Sequence, residues 1–596
     1  MQLSKGTLSI ETRLGCHLTQ YFYYNKGLLV MLIDARTLPA EETIETEVCI
    51  VGTGPAGLSL ARELAGQNFR VCVLESGSLD LPDPDTESLA EVETEGDFVQ
   101  VTPDRRNRRF GGNSSYWAIK ISKERLGLRH VPLDEVDFEK RDWLPYSGWP
   151  FDRDHLIPYY ERAQAVCQLG PFTYEAEDWE DATSPRLPLL GNRVTTRMFQ
   201  FGPGAAFYQE YRDEINRAPN ITTYLHANAV ELETDETAKT VTRVRVACLQ
   251  GNQFWVKAKL VILAAGGIES THLLLLSNKV QKTGLGNQHD LVGRFFMDHP
   301  LVHGGLFIPS NPNIVNSMAL YDLRQLSYGT VMGGLSLTKE AMRREKLLNI
   351  STLLFPRHKR FRSSEAMNSL KALATAKALK EGSKGTLQHL SNVVTGLDDI
   401  AASLYEKVTR KPQPFWSNLS QGGWSQVPNK ERVYHVFEVL HQTEQAPHPD
   451  NRVVLGEEYD KLGRRRVRMQ TRWHEEDIRN VRRAQEVFAQ EIARAGLGEY
   501  KIELEGELPT LSTAGTSHHM GTTRMHTDPK QGVVDANCRV HSVSNLFIAS
   551  SSVFPTGGYG NPTLTIVALS LRLADRVKNI MHSGDTVSRE QITSAS

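Results

Sequence analysis

One turn constrains this chain more than any other feature. Residues 46–75 run TEVCIVG, a tight glycine turn, PAGLSLARELAG and then FRVCVLE. The two outer runs are continuous and rich in β-branched residues, as parallel strands buried on both faces are. Between them apolar residues recur at helical spacing, with Pro55 near the start and Gly66 at the end. Gly52-Thr53-Gly54-Pro55-Ala56-Gly57 is therefore a GxGxxG turn in the context that gives it meaning. Gly52 permits the tight turn, Gly54 lets a pyrophosphate approach the backbone, and Gly57 lets helix and strand pack closely. The helix start adds free N–H groups and a favourable dipole. Glu75 closes the second strand, where a carboxylate accepts hydrogen bonds from a ribose diol and repels a 2′-phosphate. That points to FAD or NAD rather than NADP, without choosing between the two.

Two further runs read as strands of the same kind: KLVILAAGG (259–267), followed by a helix, and SNLFIAS (544–550), followed by a Gly-rich loop and the helical TLTIVALSLRLADRV. They share one sheet with the first pair only if the intervening chain builds a second structure. YHVFEVLHQTEQ, RVVLG and RRVRMQTRW look like strands of a mixed or antiparallel sheet, and EEDIRNVRRAQEVFAQEIARAG like a long amphipathic helix. The expected fold is α/β, with a discontinuous Rossmann-like domain from 45–135, 195–300 and 510–582. A mixed or antiparallel-sheet substrate domain takes 136–194 and 301–509, with a polar helical insertion at about 357–411. Residues 1–44 read as a flexible leader and 583–596 as a flexible tail.

A chain of 596 residues with 40% hydrophobic and 23% charged residues has ample material for large cores. Its net charge of −2 supplies no field for nucleic acid, and no nucleic-acid partner is expected. No apolar run reaches the roughly 18 residues of a bilayer span, and the apolar YFYYNKGLLVMLI lacks the flanks of a signal peptide. The six cysteines are scattered without metal-ligand spacing, which reads as a reduced, cytoplasmic protein with no metal site and no membrane association. Nothing in the pattern reads out an oligomeric state.

The segment SHHMGTTRM (517–525) and the loop FPTGGYGNPTLT (554–565) supply what oxidation of an alcohol carbon needs: a base for the hydroxyl proton and a polar group to orient the oxygen while hydride leaves. His518 can be the base, since imidazole titrates near working pH, and Asn561 the orienting amide. Pro562 and Thr563 start the last helix, whose dipole would favour negative charge on a reduced flavin ring. By spacing alone, a cluster such as His518, His519 and His526 is more often polar surface or a hydrogen-bonded interior than a base. Zinc lacks a third ligand at a recognisable spacing.

Taken in order, VGTGPAGLSLARELA with Glu75, RRFGGNSSYWA (108–118), GWPFDRDHLIPYYERA, AAGGIES, VGRFFMDHP, EQAPHPDNRVVL, HHMGTTRM and GNPTLT resemble the glucose–methanol–choline (GMC) oxidoreductases. The nearest likeness is to the bacterial branch similar to pyranose 2-oxidase and related sugar and glycoside oxidoreductases. The resemblance implies FAD as cofactor, His518 as base and Asn561 as second active-site residue. It also implies that Val230, in LHANAVEL, meets the adenine by its backbone, and adds Gly111, Gly112, Ser114 and Gly266 to the cofactor-binding set. Arg109, beside Arg108, would face the phosphates or else stand as a solvated charge. Where pyranose 2-oxidase has a histidine bonded to FAD, this chain has Tyr116, so non-covalent FAD is expected, with Tyr116 packing near the flavin methyl edge. His299 of MDHP reads as structural packing.

The expected reaction takes CH–OH to C=O. His518 removes the hydroxyl proton, hydride passes to flavin N5, and oxygen or a quinone or carrier protein is the acceptor. The resemblance makes the substrate a sugar, glycoside or polyol-like metabolite. The alternatives are a hydrophobic natural-product or sterol-like alcohol and, from another class, a non-redox FAD-containing lyase. The basic insertion, with Arg357, Lys359, Arg360, Arg362, Lys371, Lys377 and Lys380, reads first as a solvated lid and second as a membrane or partner contact.

Overall fold

A computed structural model describes residues 31–79, 84–97, 106–122, 124–190, 192–357, 369–370, 373–374, 382–395, 422–502, 507–511 and 517–583. The strand Thr43–Val51 is buried through its C-terminal half and pairs in parallel with Val71–Leu74 on one side and Gln253–Leu263 on the other. Around this trio lies a sheet of eight strands. Ile221–Leu225 and Leu32–Asp34 extend it in parallel on one flank, and Val241–Ala247 and Asn228–Thr234 continue it antiparallel on the other. Leu546–Ile548 joins Gln253–Leu263 in parallel. The four apolar runs noted in the sequence thus fall in one sheet, as strands hidden on both faces should. The helix Thr563–Ser583 packs against Pro55–Glu63 and Ile157–Val166.

A second sheet of nine strands is antiparallel. It runs from Gly498–Ile502 through Leu301–Pro309, Val436–Thr443, Ile350–Arg357, Gly329–Leu337 and Val194–Pro203 to Leu126–His130 and Ile119–Lys120. Ala484, Val487, Phe488 and Ile492 of the helix Glu475–Arg494 share a buried core with its Phe307, Phe437 and Val439. The chain therefore builds the expected α/β fold, a Rossmann-like sheet with a second antiparallel one.

Several boundaries differ from the sequence expectation. Leu126–His130 and Val194–Pro203 lie in the second sheet, not on the nucleotide side. Arg452–Tyr459 and Arg465–Thr471 are strands as expected, but they form a separate three-stranded sheet with Val92–Gly96. Leu32–Asp34 is an edge strand rather than leader, held parallel to Ile221–Leu225. Of the basic insertion, Arg357 ends the strand Ile350–Arg357 and pairs with Glu438, while Lys359, Arg360, Arg362, Lys371, Lys377 and Lys380 lie outside the described residues. Residues 1–30 and 584–596 lie outside them too. No described helix is long and apolar enough to cross a membrane.

Candidate active site

The strand Thr43–Val51 delivers the chain to Gly52, whose N–H donates to the Leu74 carbonyl at 2.8 Å. A Cβ at Gly52 would stand 2.7 Å from the Ala264 carbonyl oxygen, and its φ of +105° suits glycine alone. A Cβ at Gly57 would stand 2.0 Å from the Gly52 oxygen, so the helix can lie on the strand only without a side chain there. Gly54 differs, because an added Cβ would meet no protein atom within 4 Å and would point into open space. Glu75 ties the turn together. It accepts from the Thr53 N–H at 3.1 Å, from the Thr53 hydroxyl, and from the Gly77 N–H at 2.9 Å. A carboxylate has about four lone-pair sites, so capacity remains for a diol.

Above this turn runs a cavity of about 590 Å³, and Gly52, Gly54 and Glu75 line it. Gly112, Ser114, Tyr116, Gly266, Pro562, Thr563 and His518 line it as well. Gly266 opens the helix Gly266–Leu276, and an added Cβ there also meets nothing within 4 Å. Pro562 and Thr563 bring the start of the helix Thr563–Ser583 to the wall. Ser114 is buried and donates to the Gly111 carbonyl.

Other expected residues stand elsewhere. Gly111 is not at the wall; its N–H donates to the Thr53 carbonyl, and a Cβ there would stand 2.4 Å from Tyr208 Cβ. Arg109 is turned away, its backbone bridged to Ser78, whereas Arg106 and Arg108 reach the cavity. Both converge on Glu269, whose carboxyl burial alone would raise; the two guanidiniums hold it well below the usual carboxylate range. Val230 is also away from the wall, which Ala227, Asn228 and Ala229 form. In a strand, an offset of one residue exchanges the faces. Tyr116 is 45% exposed and lines the cavity, whereas the neighbouring Trp117 is buried.

His518 is 8% exposed and meets Asn561 Nδ2 through its Nε2 at 3.1 Å. Its Nδ1 lies 3.0 Å from His299 Nδ1, and His299 Nε2 lies 3.2 Å from the Gly557 carbonyl oxygen. Asp298 Oδ1 accepts from the backbone N–H of both His518, at 2.8 Å, and His299, at 2.7 Å. Asn561 Oδ1 accepts from Arg129 Nε at 3.0 Å and from Gln442 Nε2 at 3.4 Å. Burial lowers the His518 imidazole, His299 and Arg129 push it further down, and Asp298 opposes them; the ring sits well below the ordinary range and is neutral at pH 7. Burial likewise takes His299 down to about 4 and Arg129 to about 10. His519 meets Phe296 in a tilted ring contact, and His526 Nδ1 accepts from the Asp528 N–H. Among the described residues no group of three potential ligands could hold a metal.

His299, Arg129 and Gln442 were not identified from sequence as partners of this pair. They come from three strands or loops far apart in the chain, and only the MDHP run drew notice to one of them.

The residues fit a dinucleotide: two open glycines at helix starts, a diol-accepting carboxylate, and two arginines against one carboxylate. Residues 45–92 match the family model described as "FAD binding domain", and residues 447–570 match the one described as "GMC oxidoreductase". The fructose dehydrogenase large subunit of Gluconobacter japonicus is 28% identical over 617 aligned positions, covering 91% of this chain and 100% of that one. The chain is thus similar to the GMC oxidoreductases, by the family model over residues 447–570 and by a relative aligned along most of its length. It is an FAD-dependent oxidoreductase that acts on alcohol groups. It is also 37% identical to pyranose 2-oxidase of Tricholoma matsutake over 82 residues, 14% of each chain. A solved structure of a mutated formate oxidase from Aspergillus oryzae RIB40 shares the fold, with a TM-score of 0.50, 18% identity and coverage of 91% of this chain and 99% of that one.

Proposed function

We propose that this protein is a GMC oxidoreductase that oxidises a carbinol of a sugar, glycoside or other polyol-like substrate, with His518 Nε2 as the base and Asn561 as the amide that orients the oxygen. The observation that carries the reading is the 3.1 Å separation of His518 Nε2 and Asn561 Nδ2. Two nitrogens so spaced can both reach one hydroxyl oxygen at about 2.8 Å, the ordinary hydrogen-bond length. His518 then takes the proton while the Asn561 N–H stabilises the charge gathering on oxygen. A neutral imidazole is the form that can accept a proton, and burial keeps His518 in it.

Arg129 holds Asn561 Oδ1, which turns the amide N–H toward the base. FAD, held without a covalent bond along Gly52, Gly54, Glu75 and Gly266, supplies the hydride acceptor when bound. The sugar class rests on the two relatives named above, whose names speak of fructose and of a pyranose.

The test is an anaerobic titration of the purified yellow protein with fructose, aldopyranoses, alkyl glycosides and hydrophobic alcohols, followed at the flavin absorbance band. Wild type is expected to bleach with one of the sugars. His518→Ala should bleach at least about 100-fold more slowly, the usual contribution of a positioned base. Equal rates in the two proteins would remove His518 from the role. Bleaching by hydrophobic alcohols alone would replace the substrate class, and turnover of a lyase substrate with no bleaching would replace the reaction. Readmitting air, then a quinone, identifies the electron acceptor.

A further inference from the structure

We infer that His299 is a positioning residue that fixes which nitrogen of His518 carries the proton, so that Nε2 is left as the lone-pair atom. The inference rests on the reading of His518 as base and adds a role for a residue outside the cavity wall. His299 is fully buried and lies behind His518.

Four groups form one hydrogen-bonded row: the Gly557 carbonyl, His299, His518 and the Asn561 amide. Both ends of the row have a fixed sense. A peptide carbonyl only accepts, and the guanidinium of Arg129 only donates. His299 Nε2 must therefore carry its hydrogen toward the Gly557 oxygen. A neutral His299 then presents a lone pair at Nδ1, and the 3.0 Å contact with His518 Nδ1 is made only if that nitrogen is protonated. From the other end, Arg129 Nε donates to Asn561 Oδ1, so the amide faces His518 with its N–H groups. His518 Nε2 must be the acceptor there. The reversed row sets a bare nitrogen against the Gly557 oxygen and an N–H of His518 against the N–H groups of Asn561. One tautomer satisfies every contact and the other breaks two.

Asp298 keeps the row in register, since one of its oxygens accepts the backbone N–H of both histidines. The other groups bearing on His518 are Arg129 and His519, which disfavour its protonation, and Asp298, which favours it. His299 touches the reaction only through His518, in the way that an outer partner of a histidine ligand or base selects its tautomer.

The experiment uses the FAD-loaded enzyme. Nitrogen NMR of histidine-labelled wild type, with the His518 signals assigned by their loss in His518→Ala, needs no substrate. Nε2 should show the shift of an unprotonated nitrogen and Nδ1 that of a protonated one. The opposite assignment overturns the inference. His299→Leu, checked for unchanged flavin content, should lower the limiting rate of anaerobic reduction by about 10- to 100-fold with little change in substrate affinity. His299→Asn, whose Oδ1 stands near the position of Nδ1, should recover most of that loss. Its acid limb should also move to higher pH, because a neighbouring ring that disfavours protonation of His518 is gone. A wild-type rate in His299→Leu overturns the inference and leaves the His518 reading standing; full activity in His518→Ala overturns that reading instead. If His299→Leu does not fold, the wild-type spectrum still decides.

Discussion

Gly54 and Gly57 sit three residues apart on one turn, yet the same added methyl should harm them in opposite ways. At Gly57 the Cβ would stand 2.0 Å from the Gly52 carbonyl oxygen, which is backbone and cannot swing aside. Gly57→Ala is expected to destabilise the flavin-free protein by about 1–3 kcal/mol, the usual cost of overpacking. At Gly54 the Cβ meets no protein atom within 4 Å, and φ is −67°, which alanine adopts freely. Gly54→Ala should therefore melt within about 0.5 kcal/mol of wild type when flavin-free, and purify with far less flavin. Melting curves and the ratio of flavin to protein absorbance check both; full flavin content in Gly54→Ala would mean that the cofactor does not lie against this turn. At this scale the sequence was informative wherever a motif carries its own context. Gly52, Glu75 and the His518–Asn561 pair were legible because a turn, a strand end and two short loops announce them. Arg129 and His299 were not, because the side chain each meets lies hundreds of residues away and no spacing encodes the meeting. Arg109 and Val230 fall off the cavity wall for a related reason: a pattern locates a strand or loop, while the face presented at a given residue is settled by packing.

Between elements, one buried ion pair fastens the segment after the helix Glu135–Phe138 to the end of the strand Val436–Thr443. Arg141 and Glu444, with 3% and 0% of their side chains exposed, meet through two contacts of 2.6 and 3.0 Å. Glu444 also accepts from the Asn349 N–H at 2.9 Å. The same segment braces the loop that carries Asn561, for Trp149 donates to the Thr556 hydroxyl and that hydroxyl donates to the Asp137 carbonyl. Glu444→Ala strands a buried guanidinium and should cost about 3–5 kcal/mol. It should also slow substrate-driven bleaching by loosening the Asn561 loop. Denaturation and the anaerobic assay read the two effects, and a variant as stable as wild type would show the pair to be dispensable. The elements themselves were well foreshadowed where burial is two-sided, because such strands read as unbroken apolar runs. Arg452–Tyr459 and Arg465–Thr471 were recognisable as strands, but alternation names a strand without naming its neighbour. Their partner, Val92–Gly96, comes from near the opposite end of the chain.

Across the whole molecule, buried neutral histidines set the response to acid. Burial takes His130 and His441 to about 3 and His299 to about 4, and lowers His518 well below its ordinary value. The unfolded chain binds these protons near pH 6.5 and the folded one refuses them until about pH 4, so stability is complete above 6.5 and falls as pH drops through that window. Asp477, raised by burial to about 7, and Asp137, also raised, act in the opposite sense because the folded protein holds their protons. Asp322 is raised as well and His272 lowered as well, so the lowered histidines outnumber the raised carboxyls. Melting temperatures at pH 7, 6, 5 and 4 should decline steadily, and a flat or rising series would show that the carboxyls dominate. The first sheet has a further consequence, in time rather than in energy. Its central strands Thr43–Val51 and Gln253–Leu263 are made well before Leu546–Ile548 and the helix Thr563–Ser583, which follow together with His518 and Asn561. During synthesis the second sheet can be complete while the first still lacks the strand and helix that close its cavity. A ribosome pausing before residue 546 therefore holds a chain that lacks the cavity wall formed by Ala549, Ser550, Ser551, Pro562, Thr563 and Ile566, and the His518–Asn561 contact.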